Sequence, residues 1–184
     1  IAPVVFVAKS EVASWPLIGW AAKVQRVVFV ERSRRQATGS ATSEMAQRLT
    51  AANPVVLFAE GTSSDGNRVL PFRSALLSAA ELSLGEDVAH HIRHAPVQPV
   101  SIAYVALHGI PMGRENRPLF AWYGDMELIP HFKGIILGGP IEVTLSFCDM
   151  LEPEFVQNRK IATRVAEQAI RLKAADVLRG RIAA

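Results

Sequence analysis

Cysteine is nearly absent: Cys148 stands alone among 184 residues. An internal disulfide is therefore excluded, which fits a reducing compartment. No run of 18 consecutive apolar residues occurs, so no segment reads as a bilayer-spanning helix. No secretory leader is read at the start: Ile1 opens directly into strand-like sequence without methionine, and the expectation is a fragment beginning in mid-pattern. Net charge is only +3, and no basic patch is interleaved with aromatics, so nucleic acid is not an expected partner. Neither Gly-x-x-x-x-Gly-Lys-Ser/Thr, Gly-x-Gly-x-x-Gly nor Gly-x-Ser-x-Gly occurs, which removes the signatures of a nucleotide phosphate loop, a dinucleotide fold and a nucleophile elbow. There is no internal repeat, low-complexity tract or linker, so residues 1–184 read as one domain.

What is present is globular: 49% apolar and 20% charged residues, on a chain long enough to bury roughly 70% of its extended surface. The organising stretch is 55–66. Val55, Val56, Leu57, Phe58 and Ala59 read as a strand buried on both faces. Glu60-Gly61-Thr62-Ser63-Ser64 then form a loop of small and polar residues, and Asp65-Gly66 marks a tight turn. After Pro71 a helical pattern begins, with Phe72, Leu76, Leu77 and Ala80 on one face. Such a strand–loop–helix can aim several backbone N–H groups at a phosphate or other oxyanion, or it can be an ordinary connection that binds nothing.

Around this centre the chain alternates. Residues 3–8 read as a strand, and Ser10 as the N-cap of a helix running towards Val24. Trp15 and Trp20 on that helix suit a membrane interface or the core, and the weight of aromatics in core packing favours the core. Residues 27–30 form a second strand, followed by Glu31-Arg32; a polar helix at 33–52, with Met45 and Leu49 inward, stops at Asn53-Pro54. Residues 84–95 read as a loop holding Asp87, His90, His91 and His94. His90 and His94 have the i, i+4 spacing of zinc ligands on a helix. With no cysteine nearby and no His-Glu-x-x-His pattern, a solvated stretch and no metal are expected.

Residues 95–105 read as another strand, 108–117 as a loop, 119–123 as strand or loop, and 126–137 as a helix. Residues 141–147 alternate strictly and predict a strand solvated on one face. A last helix at 153–178 turns Phe155, Ile161, Val165, Ala169 and Leu172 inward. Its exposed Arg159, Lys160, Arg164, Arg171, Lys173 and Arg179 suit either anionic headgroups or plain solvent. The alternation predicts an α/β domain with a mixed, largely parallel sheet flanked by helices. Strand ends at Lys9, Arg32 and Glu60 along one edge would gather two cations, a carboxylate and an N–H-rich loop. That combination suits a substrate with an acidic head.

Four ordered blocks resemble the glycerolipid acyltransferases, among them the 1-acylglycerol-3-phosphate acyltransferases. Phe58-Ala59-Glu60-Gly61-Thr62 with Pro71-Phe72-Arg73 resembles the family's Phe-Pro-Glu-Gly-Thr block. Val28-Phe29-Val30-Glu31-Arg32 resembles the block that ends in arginine. Ala8-Lys9-Ser10-Glu11 with Pro16-Leu17-Ile18-Gly19-Trp20 is similar to the segment joining the first two blocks, and Val97-Gln98-Pro99-Val100-Ser101-Ile102 to the fourth.

The resemblance implies transfer of an acyl group from acyl-CoA or acyl carrier protein, as co-substrate and with no further cofactor, to a lysolipid hydroxyl. The acceptor it implies first, 1-acylglycerol-3-phosphate, would give phosphatidic acid. It implies a bacterial enzyme of phospholipid biosynthesis, peripheral on the cytoplasmic side of the inner membrane or anchored by an upstream segment. Arg32, Glu60, Gly61 and Thr62, with Ser63, Lys9 and Arg73, are the implied substrate-binding residues, and Glu60 supports catalysis. The family's general base is the histidine of Asn-His-x-x-x-x-Asp. No such motif occurs here, so the expectation is that it lies upstream of Ile1 and that this fragment is inactive alone. Many family members have arginine where Ser63 stands; its loss removes a charge-assisted phosphate contact of about 1.5–3 kcal/mol. A lyso-ornithine lipid acceptor is therefore an alternative, as is a non-catalytic lipid- or anion-binding module.

Overall fold

In the structure, a computed structural model that describes residues 4–15, 18–25, 27–30, 54–78, 83–86 and 92–181, three short strands run parallel in the order β2-β1-β3. They are β1 (Val5–Lys9), β2 (Val28–Val30) and β3 (Val55–Val56). Val7, Ala8 and Lys9 pair with Val28, Phe29 and Val30, while Val5 and Phe6 pair with Val55 and Val56. β-branched side chains favour this pleated geometry, and Val5 and Val28 form a small core with Val7 and Val55. All three strands point their C-terminal ends at the same edge, where open α/β sheets place their ligands.

Several expectations need correction. The helix expected at 10–24 is two pieces, a 3₁₀ turn at Ser10–Ser14 and helix α1 (Ile18–Val24). Trp20 is 67% exposed and is not a core residue. The strand expected at 55–59 stays paired only over Val55–Val56 and is half-buried. Beyond it Leu57 turns into the core, while Phe58 is exposed. The helix expected after Pro71 is a four-residue 3₁₀ turn, Ser74–Leu77, which buries Leu76 and Leu77. The loop expected at 84–95 contains two antiparallel strands, β4 (Ser83–Glu86) and β5 (Ile92–His94). The expected helix at 33–52, and Arg32, Ala80, Asp87, His90 and His91, lie outside the described residues.

A second sheet is antiparallel, in the order β7-β6-β8, and makes the architecture mixed α/β. Its strands are β6 (Val100–Leu107), β7 (Ile110–Pro111) and β8 (Ile141–Phe147). The alternation in 141–147 is real, but the buried side is the small and polar one: Ser101, Ala103 and Ser146 are buried, whereas Val143, Leu145 and Phe147 are exposed. The reason is close packing of β6 on a long helix, α4 (Arg159–Leu178), whose buried residues are mostly small: Ala162, Thr163, Ala166 and Ala174, with Val177 near its end. Small faces let the two backbones approach.

The expected last helix breaks at 157–158 into α3 (Pro153–Val156) and α4. Asn158 caps α4, its side chain accepting from the N–H groups of Lys160 and Ile161. The break rotates the helix, so Phe155 and Leu172 are exposed rather than inward. The main core joins Ala59, Leu77, Leu151, Val156, Ala162 and Ala166. Helix α2 (Leu128–Leu137) buries none of its side chains. No helix among the described residues is long and apolar enough to cross a membrane.

Candidate functional site

Past β3 the chain folds into a loop fastened at several points. The N–H of Gly61 donates to the carbonyl of Phe58 (3.0 Å), and that of Arg73 to the carbonyl of Ala59 (2.8 Å). Gly61 has φ +71°, a left-handed conformation that glycine adopts without penalty, and the Arg73 side chain lies across it. Glu60 Oε2 accepts from the N–H of Leu70 (2.7 Å), so its carboxylate holds its own loop closed. Burial pushes the Glu60 pKa above the usual carboxylate value; the Leu70 N–H and the Arg171 charge work against that rise, and Glu167 adds to it.

The turn that follows is held by side chains. Asp65 Oδ1 accepts from the N–H of Asn67 (3.1 Å), and this bond, followed by one from the Asn67 amide, keeps its pKa below the usual value. Arg117 is 7% exposed and anchors the turn from beneath. It donates to Asn67 Oδ1 (3.1 Å), the Tyr104 carbonyl (3.3 Å) and the Met112 carbonyl (3.0 Å).

The loop borders a cavity of about 870 Å³ at the C-terminal edge of the parallel sheet. Glu60, Gly61, Thr62 and Ser63 line it on one side, together with Arg68 and Arg171. Val7, Trp15, Ile102, Trp122, Phe132 and Ile135 give it apolar walls. Trp15 and Trp122 meet edge to face with centroids 5.3 Å apart. Thr62 and Ser63 are exposed, and their backbone N–H groups have no hydrogen-bond partner among the described residues. The cavity thus combines apolar walls with a lining carboxylate, two arginines and N–H donors. A molecule with one alkyl tail and a charged head matches it.

Of the residues expected from sequence, Glu60, Gly61, Thr62 and Ser63 come together here. Arg73 touches Gly61 but is not part of the cavity lining. The backbone of Lys9 ends β1, level with Val30, beside the cavity-lining Ala8; its side chain and Arg32 are outside what is described. Sequence reasoning missed Arg171, placed there on an exposed basic face suited either to anionic headgroups or to solvent, and Arg68. Nothing local marks Arg171, because its role depends on α4 crossing behind the loop. Glu167 shows the crossing directly: Oε2 accepts from the N–H of Phe72 (2.8 Å) and Oε1 from Nε of Arg171 (2.9 Å). Cys148 is half-buried, does not line the cavity, and has its thiol pKa raised by burial, so it lacks the thiolate character of a nucleophile.

Residues 1–103 match the family model described as Acyltransferase. A lyso-ornithine lipid O-acyltransferase from Brucella abortus (strain 2308) is 49% identical over 98% of this chain and 67% of its own length. One from Rhizobium meliloti (strain 1021) is 42% identical over 98% of this chain and 61% of its length. A 1-acyl-sn-glycerol-3-phosphate acyltransferase from Neisseria gonorrhoeae is 32% identical over 42% of this chain and 31% of its length. This chain therefore spans about two thirds or less of the relatives it matches. In fold it is similar to the crystal structure of the 1-acyl-sn-glycerophosphate acyltransferase from Thermotoga maritima, with a TM-score of 0.58 and 22% identity, covering 100% of this chain and 60% of that one.

Proposed function

The chain belongs to the glycerolipid acyltransferase family, and from that premise we propose that it holds the acceptor in a transfer of a fatty acyl group to the hydroxyl of lyso-ornithine lipid. The observation that carries this reading is the cavity beside the Glu60-Gly61-Thr62 loop, which has apolar walls and is lined by charged residues of both signs. An ornithine head bears an ammonium and a carboxylate. Glu60, together with Arg68 and Arg171, offers both signs of charge to that zwitterion, and Ser63 supplies a hydroxyl rather than a guanidinium fork. The relatives matched over nearly the whole chain carry the same acceptor in their names.

In this reading the acceptor oxygen attacks the thioester carbonyl of acyl-CoA or acyl carrier protein, the C–S bond breaks, and the thiol leaves with a proton. The base that takes the hydroxyl proton is the histidine of the family's Asn-His-x-x-x-x-Asp motif. The residues of this chain bind and orient the acceptor, and no cofactor is required. The reaction takes place on a membrane, peripherally and on the cytoplasmic side where thioester donors are found. Helix α2 supports this placement: Ile129, Phe132, Ile136 and Leu137 are exposed on it, and its Leu128 and Ile135 line the cavity.

A second reading, with 1-acylglycerol-3-phosphate as acceptor, draws on the unengaged N–H groups of Thr62 and Ser63, which suit a phosphate. An acyl-transfer assay of the protein from its complete reading frame, offered both lysolipids, separates the two. The expected result is a kcat/KM for lyso-ornithine lipid at least about tenfold higher, the difference made by roughly one charge-assisted contact. Equal or reversed preference overturns the ornithine assignment.

A further inference from the structure

A second hollow, of about 580 Å³, lies where α4 meets the 3₁₀ turn at Ser74–Leu77. Lys160, Arg164 and Arg171 border it. Their spacing of four and then seven residues sets them along one stripe of the helix. Lys160 and Arg164 are exposed, and neither side chain has an ion-pair partner among the described residues. The acid in the lining, Glu167, already has one oxygen occupied by Arg171 and the other by the N–H of Phe72. Ser74 and Gln168 add a hydroxyl and an amide, and Phe72 and Leu172 give an apolar surface beneath the charges. Two unpaired cations and neutral donors above an apolar floor are the chemistry of a phosphate ester with an organic arm.

Arg171 lines this hollow and also the cavity that takes the acceptor. We propose that the hollow binds the phosphate-bearing end of the acyl donor, the phosphopantetheine portion common to CoA and acyl carrier protein. Its thioester end then extends past Arg171 towards the acceptor hydroxyl. The assignment rests on the acyl-transfer reading. A bilayer is the competing partner for a basic helix face, but α4 exposes only one large apolar side chain, Leu172, against Ile129, Phe132, Ile136 and Leu137 on α2.

The test is calorimetric titration of the protein from its complete reading frame with pantetheine, 4′-phosphopantetheine, CoA, and holo and apo carrier protein. Phosphopantetheine and CoA bind and pantetheine does not. Holo carrier binding more tightly than apo identifies the carrier as a source of the same group; equal carrier arms with CoA bound identify CoA. The double variant Lys160→Gln, Arg164→Gln, both positions being exposed, keeps its circular dichroism spectrum and binds CoA at least about tenfold more weakly. In the protein from the complete reading frame, the same variant raises KM for the donor and not for the lysolipid. Unchanged affinity for CoA and phosphopantetheine overturns the proposal. So does loss of binding to phosphatidylglycerol vesicles with CoA binding intact, which would make the face a headgroup surface. Absence of transfer to any lysolipid, with CoA binding still lost in the variant, refutes the acyl-transfer reading and leaves the phosphate site standing.

Discussion

Glu60 and Leu70 are joined by a 2.7 Å hydrogen bond from backbone N–H to carboxylate. Ten residues apart, they close the loop whose outer members line the cavity. Arg171 and Glu167 reach the same loop from α4 and act on the Glu60 carboxyl with opposite sign. Loop, carboxylate and helix therefore form one electrostatic unit, and a change in any of them is felt in the lining of the cavity.

The pH dependence of stability follows from this unit. Burial is the largest influence on Glu60 and raises its pKa in the native state. An acid with a raised native pKa holds its proton more tightly folded than unfolded, so its contribution to stability falls as pH rises from the unfolded value through the native one. Glu60→Gln keeps an acceptor for the Leu70 N–H and removes the titration. Urea denaturation from about pH 4 to about pH 7 should show wild type at its best relative to Glu60→Gln at the acidic end. The difference then declines and levels off above the raised pKa; a wild-type advantage growing with pH would contradict the burial of Glu60.

Gly61 makes a conformational prediction. A Cβ there would lie 2.9 Å from Cδ of Arg73 and 3.0 Å from its Nε, on a backbone at φ +71°. Arg73 is exposed and can move aside, but the backbone cannot. Gly61→Ala is expected to cost about 1–2 kcal/mol and Gly61→Asn less, because asparagine tolerates the left-handed region better. Denaturation midpoints test the order, and an unchanged midpoint for Gly61→Ala would remove the strain argument.

The parallel strands and the loop after β3 were legible in the sequence because each is coded within a few residues. Val28 and Val5 announce a buried strand by their type, and Gly61 and Gly66 announce turns by theirs. The inverted face of β8 was not legible. Alternation fixes that Val143, Leu145 and Phe147 share one side, but which side is buried depends on the small residues of α4 that arrive later in the chain. Arg171 and Arg117 were missed for the same reason: an arginine at a cavity or in a core looks, by sequence, like an arginine in solvent.

Arg117 is the clearest case. Its three donors reach Asn67, Tyr104 and Met112, so one buried guanidinium ties the turn after the candidate site to β6 and to the segment beyond it. An ammonium on a flexible stem cannot span those three acceptors at once. Each bond to a charged group is worth about 1.5–3 kcal/mol, so Arg117→Lys is expected to destabilise by at least about 2 kcal/mol. Urea denaturation reads this directly, and a loss below about 0.5 kcal/mol would show that the buried guanidinium is not needed.

Ser101 presents the opposite situation. It is 1% exposed, and its hydroxyl has no hydrogen-bond partner among the described residues, so among them its desolvation is not compensated. Removing the group should then stabilise: Ser101→Ala is expected to gain about 1 kcal/mol, the lower end of the cost of burying an unsatisfied hydroxyl. Thr163, buried on α4, provides the contrast, since its hydroxyl donates to the carbonyl of Arg159 (2.6 Å). Thr163→Val deletes a satisfied hydroxyl with little change of shape and should lose about 0.5–1.5 kcal/mol. Opposite signs from two buried hydroxyls, read from denaturation midpoints, distinguish hydrogen-bond satisfaction from volume as the controlling factor; destabilisation by both would mean that Ser101 has found a partner.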